Sequence, residues 1–284
     1  MSDADMGVTE TSATGAAVVA AMVQQQLIAK AKLMFTVMDE SARAGKGAKS
    51  VAFPRTGALT PVAKSENTAS ESIALTYAVD TLTLDQHYHT FVRLEDKADV
   101  QSVLNIEADI VERAGAGMAK LMDSYIYDTL VAGASASNPD HIIDQFGSSG
   151  TLTLAKILTA RKLLDDQDVP EGDRFLVINT EQESELLALS AFIDASQYGA
   201  REALLNGEIG RVYGFSVIKT TVCAANVALY YHRSACAFAR QIEPKWEMDR
   251  NLSKLANEYS LSALYGAKIL DSGKRNVTAN ATGS

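Results

Sequence analysis

The sequence predicts an α+β fold, and three stretches of it do so. From Ile73 to Leu94 apolar and polar residues alternate as on a long β-strand. From Val100 to Ile126 apolar residues recur every three or four positions, as on one face of a helix. From Thr151 onward short helical and strand patterns take turns, and from Val227 only strand patterns remain. The first two stretches together make a spine, Ile73 to about Leu130, too long for one small core. Its length is expected to serve contact between copies of the chain.

At 284 residues the chain can bury a full core, and it suits one large domain or two lobes. Its content of 47% hydrophobic and 21% charged residues is that of an ordered globular protein. A net charge of −9 argues against gripping nucleic acid by general electrostatics. The charge is uneven. Leu27 to Lys64 carries seven bases (Lys30, Lys32, Arg43, Lys46, Lys49, Arg55, Lys64) against two acids (Asp39, Glu40), which is +5 and leaves −14 for the remainder. Zones of opposite sign suit docking between identical subunits, and a solvated basic face gives the same pattern. Cys223 and Cys236 lie in apolar strand-like surroundings and are expected to be buried thiols, not a disulfide framework or part of a metal quartet. Asp3, Asp5 and Glu10 stand where a secretory signal has bases. The apolar run Ala16 to Val23 is far short of the roughly 20 residues of a membrane span. A soluble protein made inside the cell is the expectation.

Taken in order, Met1 to Ala13 is small and polar. From Thr14 a helical stripe of Val18, Met22, Leu27, Leu33, Met34 and Val37 follows. Ala44 to Ser50 reads as a hinge. It resembles a phosphate-binding loop, but Ala48 stands where that loop needs glycine before the lysine, so the match fails. Val51 to Glu71, with Pro54, Gly57 and Pro61, reads as extended and poorly packed. In the alternation that follows, Ile73, Leu75, Tyr77 and Val79 share one face. After Asp80-Thr81 the phase shifts to Leu82, Leu84, Tyr88, Val92 and Leu94, which predicts a bulge and a bend. One strand of that length would reach about 70 Å at 3.3 Å per residue and leave its parent core. Asp96 or Asp99 is expected to cap the long helix, and Gly115 and Gly117 within it suggest close packing or a bend. Gly133 to Gly150 ends it in a loop. Beyond Thr151 come a short helix to Leu164, a strand Phe175 to Ile178, and a helix Thr180 to Leu189 with Thr180 as cap and Glu183 completing a capping box. Ser190 to Asn206 reads as a loop, Gly207 to Gly214 as a tight turn, and Phe215 to Thr220 as a strand. Strands at Ala228 to Tyr231, Ala235 to Ile242 and Tyr259 to Leu270 close the fold, and Asn276 to Ser284 reads as a tail.

The search for chemistry finds no catalytic constellation. His87 and His89 form a His-x-His pair on the polar side of the strand, with only Asp85 or Glu95 as further ligands, and read as surface histidines. No G-x-S-x-G nucleophile turn occurs, and Asp39-Glu40 and Asp165-Asp166 read as solvated helix-end carboxylates. Trp246, the only tryptophan, reads as a core or interface anchor. No catalytic residue, cofactor or metal ligand is assigned.

Four pieces of the sequence nonetheless form a pattern. They are Leu84-Asp-Gln-His-Tyr-His-Thr-Phe-Val92 leading into Asp99-Val-Gln-Ser102, and Val169-Pro170 before Arg174-Phe-Leu-Val-Ile178. Gly207-Glu-Ile-Gly210 to Gly214-Phe-Ser-Val217 and Tyr265-Gly-Ala-Lys-Ile-Leu270 follow. In this order, over about Val51 to Asp271, the chain resembles the major capsid proteins of tailed bacteriophages, the Hong Kong 97-like shell fold. The resemblance implies an N-terminal arm (1–50), an extended β-hairpin loop (51–93), and a peripheral domain with the long spine helix (94–150). It further implies an axial domain (151–221) and return strands of the peripheral domain with a C-terminal tail (222–284). It implies a non-enzymatic head protein that self-assembles as pentamers and hexamers into an icosahedral shell around double-stranded DNA. Assembly would occur in the bacterial cytoplasm, with a separate scaffolding protein, a portal and decoration proteins as partners and weak, non-specific contact with DNA. Residues expected at inter-subunit contacts are Phe53, Arg55, Lys64, Ile73, Leu75, Tyr77, Leu82, Phe192, Tyr198 and Arg201. The same shell fold also builds bacterial encapsulin nanocompartments. A small α/β enzyme in the Thr151 to Thr221 lobe is a third reading, against which the missing nucleophile and metal motifs weigh.

Overall fold

A computed structural model describes residues 31–57, 59, 61–67, 69, 72–97, 106–137, 142–144, 152–188, 210–224 and 227–280. The elements run β1 (Met38–Asp39), β2 (Ser50–Thr56), β3 (Tyr77–Thr83), β4 (Gln86–Glu95), α1 (Ile106–Ser137), β5 (Ile142–Asp144), α2 (Leu154–Asp165) and β6 (Arg174–Ile178). After these come α3 (Thr180–Ala188), β7 (Arg211–Val212), β8 (Phe215–Lys219), β9 (Val227–His232), β10 (Cys236–Asn251), β11 (Ala256–Ile269) and β12 (Asn276–Asn280). They form a four-stranded sheet β1-β10-β11-β4, a six-stranded sheet β5-β12-β9-β6-β8-β7, and a separate hairpin β2-β3.

Helix α1, 32 residues long, is the beam of the subunit. Val111, Ala114, Met118, Met122, Ile126 and Leu130 recur on its buried side and pack with Phe238, Leu261, Ala263 and Tyr265 of the β10–β11 hairpin. Gly115 and Gly117 do not break it, and a Cβ added at Gly117 would meet open space. The close approach expected in mid-helix lies instead at Gly133, where an added Cβ would stand 2.3 Å from Ile269 Cγ1. In β10 the register against β11 shifts between Arg240 and Ile242 and again between Ile242 and Lys245, the second across Pro244, which has no N–H to offer the ladder.

A second core gathers Ile157, Ala160 and Leu164 of α2 against Leu176, Ile178, Phe215 and Tyr230 of the six-stranded sheet. Strand β6 is buried on both faces, as its unbroken apolar run requires. The β7–β8 turn puts Tyr213 (φ 46°) and Gly214 (φ 89°) in the left-handed region, the pair of positive φ values that a two-residue type I′ hairpin needs.

Several expectations from the sequence are corrected. The Ile73 to Leu94 alternation is two strands, not one. β3 pairs with β2 and β4 with β11, and Leu84-Asp85 lie between them. No bulge stands at Asp80, because β2 and β3 pair in continuous register from Thr56↔Tyr77 to Ser50↔Thr83. The shift in apolar phase marks the passage of apolar residues from the exposed face to the buried face of one regular strand. Leu33, Met34 and Val37 are buried as the stripe implied, but in a turn closed by the Thr36 N–H on the Leu33 carbonyl, not a helix. The cap of α3 is Asn179, not Thr180. Asn179 Oδ1 accepts from the N–H of Glu181 and Gln182, and Gln182 Oε1 accepts from the Asn179 N–H, a capping box one residue early. Residues 276–280 are no tail. β12 runs antiparallel to β9 with Val277 buried, and Asn276 is tolerated inside because its amide donates to the Leu130 carbonyl at 2.5 Å. Asp96 forms a two-point ion pair with Arg250, while Asp99 and the 190–206 loop lie outside the described residues.

Candidate inter-subunit surface

The β2–β3 hairpin has two faces of opposite character. Val51, Phe53 and Arg55 pair across from Leu82, Asp80 and Ala78, and the Val51–Leu82 end of this face joins the core. The other face carries Pro54 and Thr56 opposite Val79 and Tyr77. Val79 is 58% exposed and Tyr77 71%. Ile73 and Leu75 continue that alternation beyond the strand and are also exposed. A hairpin this apolar on its solvent side has no reason to remain bare.

The base of the hairpin is clamped. Arg55 Nη1 meets Asp271 Oδ1 at 2.5 Å, Nη2 donates to Ser272 Oγ at 3.0 Å, and Nε lies 3.6 Å from Asp80. The Asp271 N–H closes the circuit on Asp80 Oδ2 at 3.0 Å. Asp271 and Ser272 have φ of 52° and 54°, and Gly273 follows at 75°. Two left-handed residues that are not glycine are strained, and the Arg55 contacts help hold them. This turn joins β11 of one sheet to β12 of the other. Gly266 of β11 completes the clamp, since an added Cβ there would fall 2.0 Å from the Thr83 carbonyl oxygen.

Of the expected contact residues, Ile73, Leu75 and Tyr77 are brought to one exposed face, and Lys64 is exposed on the connecting loop. Leu82 is fully buried in its own subunit, so it is a core residue and not a contact. Phe53 is half-buried, with the Arg43 guanidinium 4.8 Å over its ring, and Arg55 serves the clamp. Phe192, Tyr198 and Arg201 lie outside the described residues.

Residues 16–277 match the family profile described as phage capsid protein. The chain belongs to the phage capsid protein family. A chain of Mycobacterium phage Che8 is 21% identical, and the superposition covers 89% of this chain and 92% of that one with a TM-score of 0.73. The capsid of cyanophage P-SCSP1u gives 18% identity, coverage of 88% and 87%, and a TM-score of 0.71. A virus-like particle from Pyrococcus furiosus gives 10%, coverage of 92% and 97%, and a TM-score of 0.58. Comparison with curated proteins found no match.

The fold is thus the Hong Kong 97-like shell fold, and the chain is a structural major capsid protein, a subunit that functions by associating with others. Among the described residues no group of three or more His, Cys, Asp or Glu is placed to hold a metal. His87 and His89 are exposed on β4. Burial pushes the Cys223 thiol up to about 11 and the Cys236 thiol up to about 12, values that leave both unreactive near neutrality. No helix among the described residues is long and apolar enough to cross a membrane.

One residue of this capsid subunit escaped the sequence reading. Asp123, 2% exposed on α1, accepts the backbone N–H groups of Lys32 (2.8 Å), Leu33 (3.1 Å) and Met34 (3.2 Å). It fixes the backbone of residues 32–34 against α1. The signal was available, since an aspartate between Met122 and Ile126 interrupts the apolar side of the helix.

Proposed function

We propose that this subunit assembles in pentamers and hexamers into an icosahedral shell that encloses double-stranded DNA. In this reading the β2–β3 hairpin and the loop beyond it are the extended arm that overlaps the next subunit. Residues 1–50 form the N-terminal arm and 151–221 the axial lobe. Residues 94–150 and 222–284 build the peripheral lobe around the spine helix, with β9 and β12 also lending strands to the axial sheet. The observation that carries it is the exposed Tyr77–Val79 face on a hairpin whose base is rigidly clamped. Apolar burial beneath that arm supplies association energy, and the +5 segment between Leu27 and Lys64 meets acidic neighbours. The contacts are weak singly and strong in sum, which lets misplaced subunits leave. A separate scaffolding protein, a portal and decoration proteins complete the particle, and assembly proceeds in the host cytoplasm.

Electron microscopy of the purified chain tests this reading. Closed shells are expected, and a monomer that never forms particles, sheets or rings overturns it. Nucleic-acid content of particles from infected cells separates a DNA container from a protein-loaded nanocompartment, and DNA is the expected cargo.

A further inference from the structure

Strand β4 ends its sheet, and no described residue pairs with its outer edge. Its ladder with β11 runs without a register shift from Gln86↔Tyr265 to Glu95↔Ala256, so the edge is long and regular. His87 to Phe91 are exposed on both faces, with Tyr88 at 40% and Phe91 at 51%. Proteins that leave such an edge bare blunt it with lysine, proline or a bulge. β4 has none of these, and its charged residues, Arg93 and Glu95, lie beyond the exposed stretch His87 to Phe91. At the opposite edge the two-residue β1 covers only Ala237 and Phe238 of β10, and the rest of that strand carries Pro244, Lys245 and two register shifts.

The same chain also carries an unclaimed strand. Ser72–Thr76 belongs to no helix or sheet, and its one backbone bond among the described residues is from the Gly57 N–H to the Thr76 carbonyl at 2.8 Å. The segment Ser-Ile-Ala-Leu-Thr alternates, has neither proline nor glycine, and exposes Ile73 at 46% and Leu75 at 43%. It does not reach its own vacant edge. The seven paired residues of β3, about 23 Å at 3.3 Å per residue, stand between it and the turn into β4, and β3 pairs with β2.

We propose that Ser72–Thr76 of one copy adds as a strand along the outer edge of β4 of a second copy. The pairing satisfies two rows of backbone donors and acceptors at once and covers Tyr88 or Phe91 with Ile73 and Leu75, the mode of β-strand addition. A second copy is the occupant because the strand and the edge are supplied by the same chain in equal number. This inference rests on reading the hairpin as an overlapping arm and names where on the neighbour it lands.

The test pairs Leu75→Cys with a single cysteine placed in turn at each position from His87 to Phe91, in chains assembled under reducing conditions and then oxidised. The native thiols are buried and stay silent. Disulfide-linked dimers and longer ladders are expected with at least one of the five partners. Normal particles with no ladder at any position overturn this inference and leave the shell reading standing. Failure of the unsubstituted chain to form particles overturns the shell reading and this inference with it. Hydrogen exchange on the unsubstituted chain guards against variants that do not assemble. Amides of both Ile73–Thr76 and β4 are expected to slow at least about tenfold between free subunits and particles. Slowing at β4 alone assigns the edge to another strand, such as residues 1–30 or a different protein, and overturns the proposal.

Discussion

Replacing Asp123 by alanine removes the single carboxylate that accepts from the backbone N–H groups of Lys32, Leu33 and Met34. The Leu33 and Met34 bonds are buried and the Lys32 bond is partly so. Each buried donor left unpaired costs about 1–3 kcal/mol. The three share one carboxylate and relax together, so the expected loss is about 3–5 kcal/mol rather than the full sum. Against a domain stability of about 5–15 kcal/mol this is severe. Asp123→Asn keeps one oxygen for Leu33 and Met34 but turns an NH₂ toward the Lys32 N–H, for a loss of about 1–2 kcal/mol. Urea unfolding of unassembled subunits, followed through the lone and 93% buried Trp246, measures both. Trypsin should also cut faster at Lys30 and Lys32 in the alanine variant. The variants also make a pH prediction. Burial pushes the Asp123 carboxyl up while the N–H groups of Lys32, Met34 and Leu33 pull it down, and the net shift is upward. The folded chain therefore holds this proton more tightly than the unfolded chain. Stability drawn from Asp123 rises as pH falls from the raised folded value toward about 3.9. Asp123→Asn has no such proton, so the wild type's advantage over it widens through that window. An alanine variant within about 1 kcal/mol of wild type, with unchanged trypsin sensitivity, would refute the anchoring argument.

Two residues five apart on β3 should separate folding from assembly. Leu82→Ala is expected to cost the subunit about 2–5 kcal/mol through an unfilled core, whereas Tyr77→Ser should leave its unfolding within about 0.5 kcal/mol and still impair particle formation. Gly266→Ala should lower the unfolding midpoint, because an added Cβ would drive against the Thr83 carbonyl; an unchanged midpoint would mean that β3 and β11 part freely there. Cys223 and Cys236 should resist thiol reagents in the native subunit at pH 8 and react fully in urea. Their folded pKa values lie above the ordinary thiol value, so the unfolded chain ionises first and stability falls as pH rises past about 8.5.

The elements legible in the sequence were those whose apolar period matched their burial. The stripe of α1, the run of β6 and the alternation of β11 each bury the residues that their pattern marks. The misreadings have a common cause. From Ile73 to Leu94 the apolar set switches faces at Asp80, and sequence alone does not say which face is core. A regular strand with exposed apolar residues at one end and buried ones at the other therefore has the pattern of a bulged one. Exposure at the expected contact residues was legible only by half for the same reason. Tyr77 and Leu82 carry the same apolar signal and opposite fates. In β12 and at Asp123 a polar residue sits inside because backbone groups far along the chain satisfy it, and no local pattern encodes a partner so distant.

The arrangement of strain and slack in the hairpin bears on how an assembling subunit works. At its base, Arg55 joins both strands' sheet to the Asp271–Gly273 turn, and that turn ties the two larger sheets together. Holding Asp271 and Ser272 left-handed costs about 1–3 kcal/mol each, so the base is a place where the subunit opposes local relaxation with specific contacts. From Gly57 to Thr76 the opposite holds. A single described backbone bond ties this loop, and its apolar residues face solvent. Were the base as loose as the loop, each neighbour contact would have to be strengthened to offset the entropy of orienting the whole arm. In the proposed overlap of subunits, a fixed base confines that cost to the few residues that touch the neighbour. Weak individual contacts then suffice to place a subunit, and weak contacts are the ones that can be undone when the placement is wrong.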